Sequence, residues 1–240
     1  MTHAAVPDVR ALVFDVFGTV VDWRSSIIRE LEGFGHERRI SADWTALADA
    51  WRAGYQPAMD RVRKGEIGWT VIDDLHRETL ETLLPKFGVT GLSEIDRDHL
   101  KMAWHRLEPW PDVVAGLTRL KRRYIIGTLS NGNVALLLNM AKRADLPWDM
   151  IFSAELAQAY KPAPACYRSV PNFLRIEPRE VMLVAAHNGD LVPAAREGLR
   201  TGFVARPAEY GPHQTRDFKA EHDFDVVGRD FVHLAELMGA

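Results

Sequence analysis

The sequence predicts an α/β chain, a doubly wound parallel sheet with a helical cap domain inserted after its first strand. Three observations carry this. Short apolar runs alternate with helical patterns from about residue 109 onward. A block of purely helical periodicity interrupts that alternation after the first run, and the apolar runs end in polar residues able to do chemistry. Strands alternating with helices of this length imply parallel pairing with helices on both faces, and right-handed crossovers make the sheet doubly wound. The expected boundaries are residues 1–22 and 109–240 for the core and 23–108 for the cap.

The first strand is read from Arg10 to Phe14, inside ALVFDVFGTVVDW (11–23), where four apolar residues run into Asp15 and then Gly18-Thr19. Such a run reads as a strand buried on both faces. A carboxylate at its end is costly to bury, so Asp15 needs a reason. Residues 23–108 follow, with SIIRELEGFG, ADWTALADAWRAGYQPAMDRVRKG, TVIDDLHRETLETLL and RDHLKMAWHRL all helical in period. They are expected to form four or five helices covering the sheet. The core resumes with a helix at 112–123, a strand at 124–130, a helix at 133–144 and a strand at 150–155. A helix at 163–174, a strand at 181–187, a helix at 191–199 and a strand at 200–206 come next, with a weaker strand at 224–227. The charge-rich RDFKAEHDFD (216–225) is read as a solvated loop or helix end.

With 47% hydrophobic residues in 240, the chain can bury a large core. A net charge of −3 leaves no basic field for nucleic acid or anionic membranes. No stretch approaches the roughly 20 apolar residues of a membrane span, and MTHAAVPDVR does not read as a signal peptide. A cytoplasmic protein is expected. The single cysteine, Cys166, excludes an internal disulfide and any multi-cysteine zinc site. It is expected to be a buried small hydrophobe. The histidines form no His-x₃-His ligand pair, so neither a metal site nor a cofactor is assigned.

In an open α/β sheet, ligands bind beyond the carboxyl ends of the strands. Asp15 ends the first run, Ser130-Asn131-Gly132 the second, LAQAYKP leads to Lys161 after the third, and AAHNGD reaches His187 and Asp190 after the fourth. Taken singly, Thr19 or Asn131 could be helix caps, Lys161 a surface lysine and Asp190 an N-cap. In order, Asp15 with Gly18-Thr19, Ser130-Asn131-Gly132, Lys161-Pro162 and Asp190 resemble the four motifs of the haloacid dehalogenase superfamily. The resemblance spans the whole chain, including a cap inserted after the first motif.

Most of that superfamily are phosphatases, in which a second aspartate two positions after the nucleophile acts as general acid. Phe17 stands there in this chain, and a phenylalanine transfers no proton. The pattern is similar to the L-2-haloacid dehalogenases (type II) instead. In that branch the Trp51-Arg52 pair supplies an arginine for the leaving halide, and Tyr167 stands six positions after Lys161. The resemblance implies that Asp15 attacks the halogen-bearing carbon of a short 2-haloalkanoate and forms an aspartyl ester that water then opens. Lys161 keeps Asp15 ionised. Val16, Phe17, Thr19 and Ser130 receive the substrate, while Arg52 and Asn131 receive the halide. Asp190 activates or orients the water, and Tyr167 either reaches the lysine or packs in the core. The small-molecule 2-haloacid is the only partner this implies, although the family allows a homodimer through cap helices. The alternative is a Mg²⁺-dependent phosphatase of small metabolites, with Asp15 and Asp190 on the ion.

The fourth motif departs from the family, with Ala185-Ala186-His187 where a Ser-Ser-Asn stretch is usual. His187 is expected to act as a base for the hydrolytic water with a pKa near 6.5, to line the pocket and shape it for a smaller halogen such as fluorine, or simply to be hydrogen-bonded at the strand end. Trp44, Trp51, Trp69 and Trp104 are expected to be packing residues of the cap.

Overall fold

The computed structural model describes residues 8–212 and 214–240. The expectation of no signal peptide falls largely on residues 1–7, outside the described residues. The chain divides into two compact units, one running through Asp22 and again from Pro109, the other Trp23–Glu108.

In the first unit, β1 (Ala11–Phe14) is apolar and buried along its whole length. It can therefore lie only in the interior of a sheet covered on both faces. After the short β2 (Val21–Asp22) the chain enters the helical unit, with α1 (Trp23–Arg38), α2 (Trp44–Ala53), α3 (Tyr55–Arg63), α4 (Ile72–Leu83) and α5 (Glu94–Lys101). It returns through β3 (Glu108–Pro109), which pairs with β2. The remainder is α6 (Val113–Leu120), β4 (Ile125–Ser130), α7 (Val134–Arg143), β5 (Met150–Ser153), α8 (Ala154–Ala157) and α9 (Pro164–Leu174). Then come β6 (Val181–Ala185), α10 (Asn188–Arg196), β7 (Arg200–Val204), β8 (Val226–Gly228) and α11 (Phe231–Leu237).

The main sheet is parallel, in the order β5-β4-β1-β6-β7-β8. β1 pairs with β4 through Ala11↔Ile125 and with β6 through Ala11↔Val181. Winding reverses across β1, and open α/β sheets bind their ligands beyond the carboxyl ends of the strands at such a reversal. Asp15 stands there, its N–H donating to Val184 O at 3.0 Å.

The differences from the expected elements lie at ends and in short pieces. The strand expected to Glu155 stops at Ser153, whose hydroxyl accepts from Glu155 N–H at 3.0 Å and starts α8. The helix expected at 191–199 begins at Asn188, because Asp217 takes both the Asn188 N–H and its side-chain amide at 2.9 Å. So 216–225 is a loop, but Asp217 and Asp225 (which holds Thr201 N–H at 2.8 Å) work as anchors. The helix α11 was not expected. Seven residues are too few to show a period, and its N-cap Asp230, accepting from His233 N–H at 2.7 Å, was its one signal.

The helical unit packs round tryptophans. Trp23, Trp51 and Trp104 are fully buried, with Trp104 stacked on Trp23 and edge-on to Trp51, Trp44 is buried, and Trp69 is half-buried. His76 stacks on Trp104 with centroids 4.2 Å apart, and burial, with Arg52 nearby, pulls its pKa down to about 3 against the attraction of Asp73. It is a neutral core imidazole. Asp43 caps α2 and a Ser93–Asp96 capping box starts α5.

One buttress fixes the turn after β1. Buried Arg206 donates from Nε to Thr19 O at 2.9 Å and from both terminal nitrogens to Asp112 at 2.8 and 2.9 Å. Trp110 Nε1–H donates to Gly18 O at 2.9 Å, and Asp112 also accepts Phe231 N–H at 2.8 Å. Replacing Arg206 by Met leaves Asp112 and the Thr19 carbonyl without their cation. A loss of about 3 kcal/mol of unfolding free energy is expected in denaturant melts, the scale of a broken buried pair. A variant within 0.5 kcal/mol of wild type, roughly the noise of a surface change, would dismiss the buttress.

Candidate active site

The site is built from five chain segments meeting at the carboxyl edge of the sheet. The Asp15 carboxylate is buried and its two oxygens are unlike. Oδ1 accepts from Lys161 Nζ at 2.9 Å. Oδ2 accepts from Thr19 Oγ1 at 2.8 Å and faces His187 Nδ1 at 3.1 Å. Burial acts to raise the Asp15 pKa, but Lys161 and His187 override it and hold the carboxyl far below the ordinary range. Asp15 is an ionised group out of water.

Lys161 is buried and also donates to Asp190 Oδ2 at 2.5 Å. Burial disfavours its charge, yet Asp15 and Asp190 together push its pKa well above that of a free lysine. Asp190, on the first turn of α10, accepts from Tyr167 Oη at 2.8 Å. Its pKa is raised, by burial first and by Asp15, against the pull of Lys161. Tyr167 thus reaches Asp190 rather than the lysine, and burial beside that acid pushes its hydroxyl far up.

Asn131 and Ser130 shape the neighbouring turn. Asn131 Oδ1 accepts from Lys161 N–H at 2.8 Å, which anchors the lysine segment to the end of β4. Ser130 Oγ accepts from Gly132 N–H at 3.1 Å, and Gly132 O accepts from Ser153 Oγ at 2.6 Å. Val16 and Phe17 are buried beside Asp15 in the chain; an added Cβ on Gly132 would lie 3.3 Å from the Phe17 ring.

Two expectations need correction. Thr19 was expected to contact substrate, but it is fully buried and its hydroxyl lies between Asp15 Oδ2 and Ala186 N–H, accepting the latter at 2.9 Å. Its work is to hold Asp15. His187 was expected to be a base with a pKa near 6.5. Its Nε2 lies 2.8 Å from Glu209 Oε2 and its Nδ1 faces Asp15. Burial opposes its charge, but Glu209 and Asp15 raise its pKa well above the ordinary value. Both ring nitrogens face carboxylates, a setting that favours the protonated ring over a free base. Cys166 is buried, and burial first pushes its thiol up to about 12, so it is inert.

Glu209 was not expected. It is fully buried in the loop after β7, and its local sequence PAEYGP looks like that of any surface acid. Its one local counterpart is Gly18, with φ +87° and no room for a Cβ against the Glu209 carboxylate. The structure thus brings together Asp15, Thr19, Ser130, Asn131, Lys161, Tyr167, His187 and Asp190 in one unit. Arg52 belongs to the helical unit, its guanidinium 5.3 Å from the Trp23 ring centroid and 4.3 Å from that of Tyr55, a cation–π setting.

The site also tests the fit of a divalent ion. The space between Asp15 and Asp190 is spanned by the Lys161 ammonium, and both Asp190 oxygens are committed, to Lys161 and Tyr167. These residues do not fit Mg²⁺ held between the two aspartates, because the ion would meet a fixed positive charge.

With a buried carboxylate, a lysine and a second acid at the switch point of a doubly wound sheet, the protein is a hydrolase. The chain belongs to the haloacid dehalogenase-like hydrolases, whose family model matches residues 9–185. It is 31% identical over 218 residues to an (S)-2-haloacid dehalogenase, 4A, of Burkholderia cepacia, covering 85% of this chain and 88% of that protein. Among solved structures, a defluorinating L-2-haloacid dehalogenase superposes with a TM-score of 0.94 at 46% identity, covering 97% of this chain and 96% of that one. Another L-2-haloacid dehalogenase gives a TM-score of 0.94 at 47% identity, covering 96% and 99%. Among the described residues, no helix is long and apolar enough to cross a membrane.

Removing the lysine tests the electrostatics directly. In Lys161→Met, burial of Asp15 loses its largest opposing charge, and its carboxyl should titrate well above its wild-type position, read from the ¹³Cγ shift against pH. The depressed wild-type pKa gives stability present above the unfolded value of 3.8 and lost as pH falls below it. The variant should lose that increment already at neutral pH. An unmoved carboxyl titration would remove Lys161 from this role.

Proposed function

We propose that this protein hydrolyses short 2-haloalkanoic acids to 2-hydroxy acids and halide through a covalent ester on Asp15. The observation that carries the reading is the Asp15 carboxylate itself, desolvated yet ionised, with an apolar Phe17 where a phosphatase needs a proton donor. Displacement at an sp³ carbon needs a bare nucleophile and no acid. The similarity to (S)-2-haloacid dehalogenases supports the substrate class, and a defluorinating relative supports fluoroacetate as a candidate.

In this reading Asp15 Oδ1 attacks the halogen-bearing carbon from behind. Oδ2 already takes two contacts, from Thr19 and His187, so Oδ1 is the oxygen with lone-pair density to give. The Lys161 ammonium stays to balance the pair formed with Asp190. Ser130 and the turn at Val16 and Phe17 receive the substrate carboxylate. The Asn131 amide nitrogen receives the halide, as the family resemblance implies. Asp190, with its raised pKa, takes a proton from the water that opens the ester.

The direct test is halide release from L-2-chloropropionate with EDTA present. Turnover should persist, and Asp15→Asn should lower it by at least about a thousandfold while the variant stays folded by circular dichroism. Phosphate release dependent on Mg²⁺, with no halide release, would overturn the assignment. Stereochemistry gives an independent check. One backside displacement followed by cleavage at the acyl carbon inverts the centre, so the L substrate should give D-lactate by chiral chromatography. L-lactate would contradict the mechanism.

A further inference from the structure

The His187–Glu209 pair stands outside the roles assigned so far. His187 offers one nitrogen to Asp15 Oδ2 at 3.1 Å and the other to Glu209 Oε2 at 2.8 Å. Both carboxylates can only accept, and a neutral imidazole has a single N–H, so only a doubly protonated ring satisfies both contacts. Glu209 is fully buried against Gly18, where no other residue leaves space for its carboxylate. Its loop is pinned on both sides. Arg206 is tied to Thr19 O and Asp112, Gln214 Nε2 donates to Arg206 O at 3.1 Å, and Asp217 holds the start of α10.

We propose that Glu209 is a positioning residue that fixes His187 with both N–H bonds in place, making Nδ1–H and the Thr19 hydroxyl an oxyanion site for Asp15 Oδ2. The inference rests on the ester reading above. Alkylation at Oδ1 leaves Oδ2 as the ester carbonyl oxygen. Water adds to Cγ, one of its protons passes to Asp190, and the carbonyl electron pair moves onto Oδ2. There it meets the Thr19 and His187 donors, which stand at 2.8 and 3.1 Å and need no reorganisation. Collapse re-forms the carbonyl and expels the 2-hydroxy acid as its alkoxide, which takes the proton from Asp190. Asp15 keeps the water oxygen and loses the remaining proton to solvent. His187 therefore acts as a fixed cationic donor through the hydrolytic half-reaction, and the same charge helps keep Asp15 ionised before it. The other charged groups around the ring are accounted for: Lys161 lies across Asp15, Asp190, on the helix that His187 precedes, is paired with Lys161, and Asp217 is turned to Asn188.

The test is Glu209→Gln, which keeps shape and packing against Gly18 and removes the charge. In substrate-free protein at neutral pH, ¹⁵N spectra should show two protonated ring nitrogens on His187 in wild type and one in the variant. With L-2-chloropropionate, the first-turnover halide burst should survive while steady turnover falls roughly tenfold or more, the scale of one charge-assisted hydrogen bond. An adduct of the substrate residue on the Asp15 peptide should accumulate by mass spectrometry. The alkaline limb of the pH–rate profile should move toward neutrality, since the neutral ring donates to Oδ2 without its positive charge. Glu209→Asp, with the charge kept, should restore the second N–H and part of the hydrolytic rate. The proposal is overturned if the variant keeps both N–H protons, or if burst and steady state slow equally. Halide release with no adduct in either protein would count against the ester reading instead, and the nitrogen spectra would still decide the role of Glu209.

Discussion

The rest of this structure depends on keeping one carboxylate ionised in a place that burial makes hostile to charge. Burial alone would raise the Asp15 pKa; instead it lies far below the ordinary range because a cation stands against each oxygen. Those cations are buried too and need anions of their own. The result is a row of alternating charge, Glu209–His187–Asp15–Lys161–Asp190, closed by the Tyr167 hydroxyl. Each member is paired on every side that faces another, which is the condition under which buried charges are tolerated.

That row explains the scaffold around it. A charge-compensated network is stable only while its geometry holds, since removing one partner leaves the others uncompensated in low dielectric. The segments that carry the row are accordingly fixed by further contacts. Thr19 is set by Ala186 N–H, the Lys161 segment by Asn131, the Asp15 turn by Arg206 and Trp110, and the start of α10 by Asp217. The parallel sheet contributes the frame. It delivers the ends of β1, β4 and β6 to one edge, with the crossovers carrying Lys161 and Asp190 to the same place.

The parts legible in the sequence were those with a local or periodic signature. Continuous apolar runs gave the buried parallel strands, and the polar residue closing each run gave Asp15, Ser130 and Asp190. Lys161 and Tyr167 were reached through spacing and family resemblance. Thr19 was found but given the wrong partner, because a hydroxyl four residues from a carboxylate carries no mark of whether it faces inward. His187 was found without its second partner. Glu209 lies on its far nitrogen, and no spacing rule connects a loop acid after β7 to the end of β6. Glu209 itself left no signal, since burial of an acid is a property of tertiary packing and not of its neighbours in sequence. The helix α11 was missed for lack of length.

The central claim is that Asp15 is the nucleophile and that water attacks the protein rather than the substrate. A single turnover of L-2-chloropropionate in ¹⁸O-water, with enzyme in excess, separates the two directly. The account predicts that the label enters the Asp15 carboxylate, seen by mass spectrometry of the peptide carrying it, while the first lactate formed is unlabelled. Label in that first lactate, with none in Asp15, would contradict it.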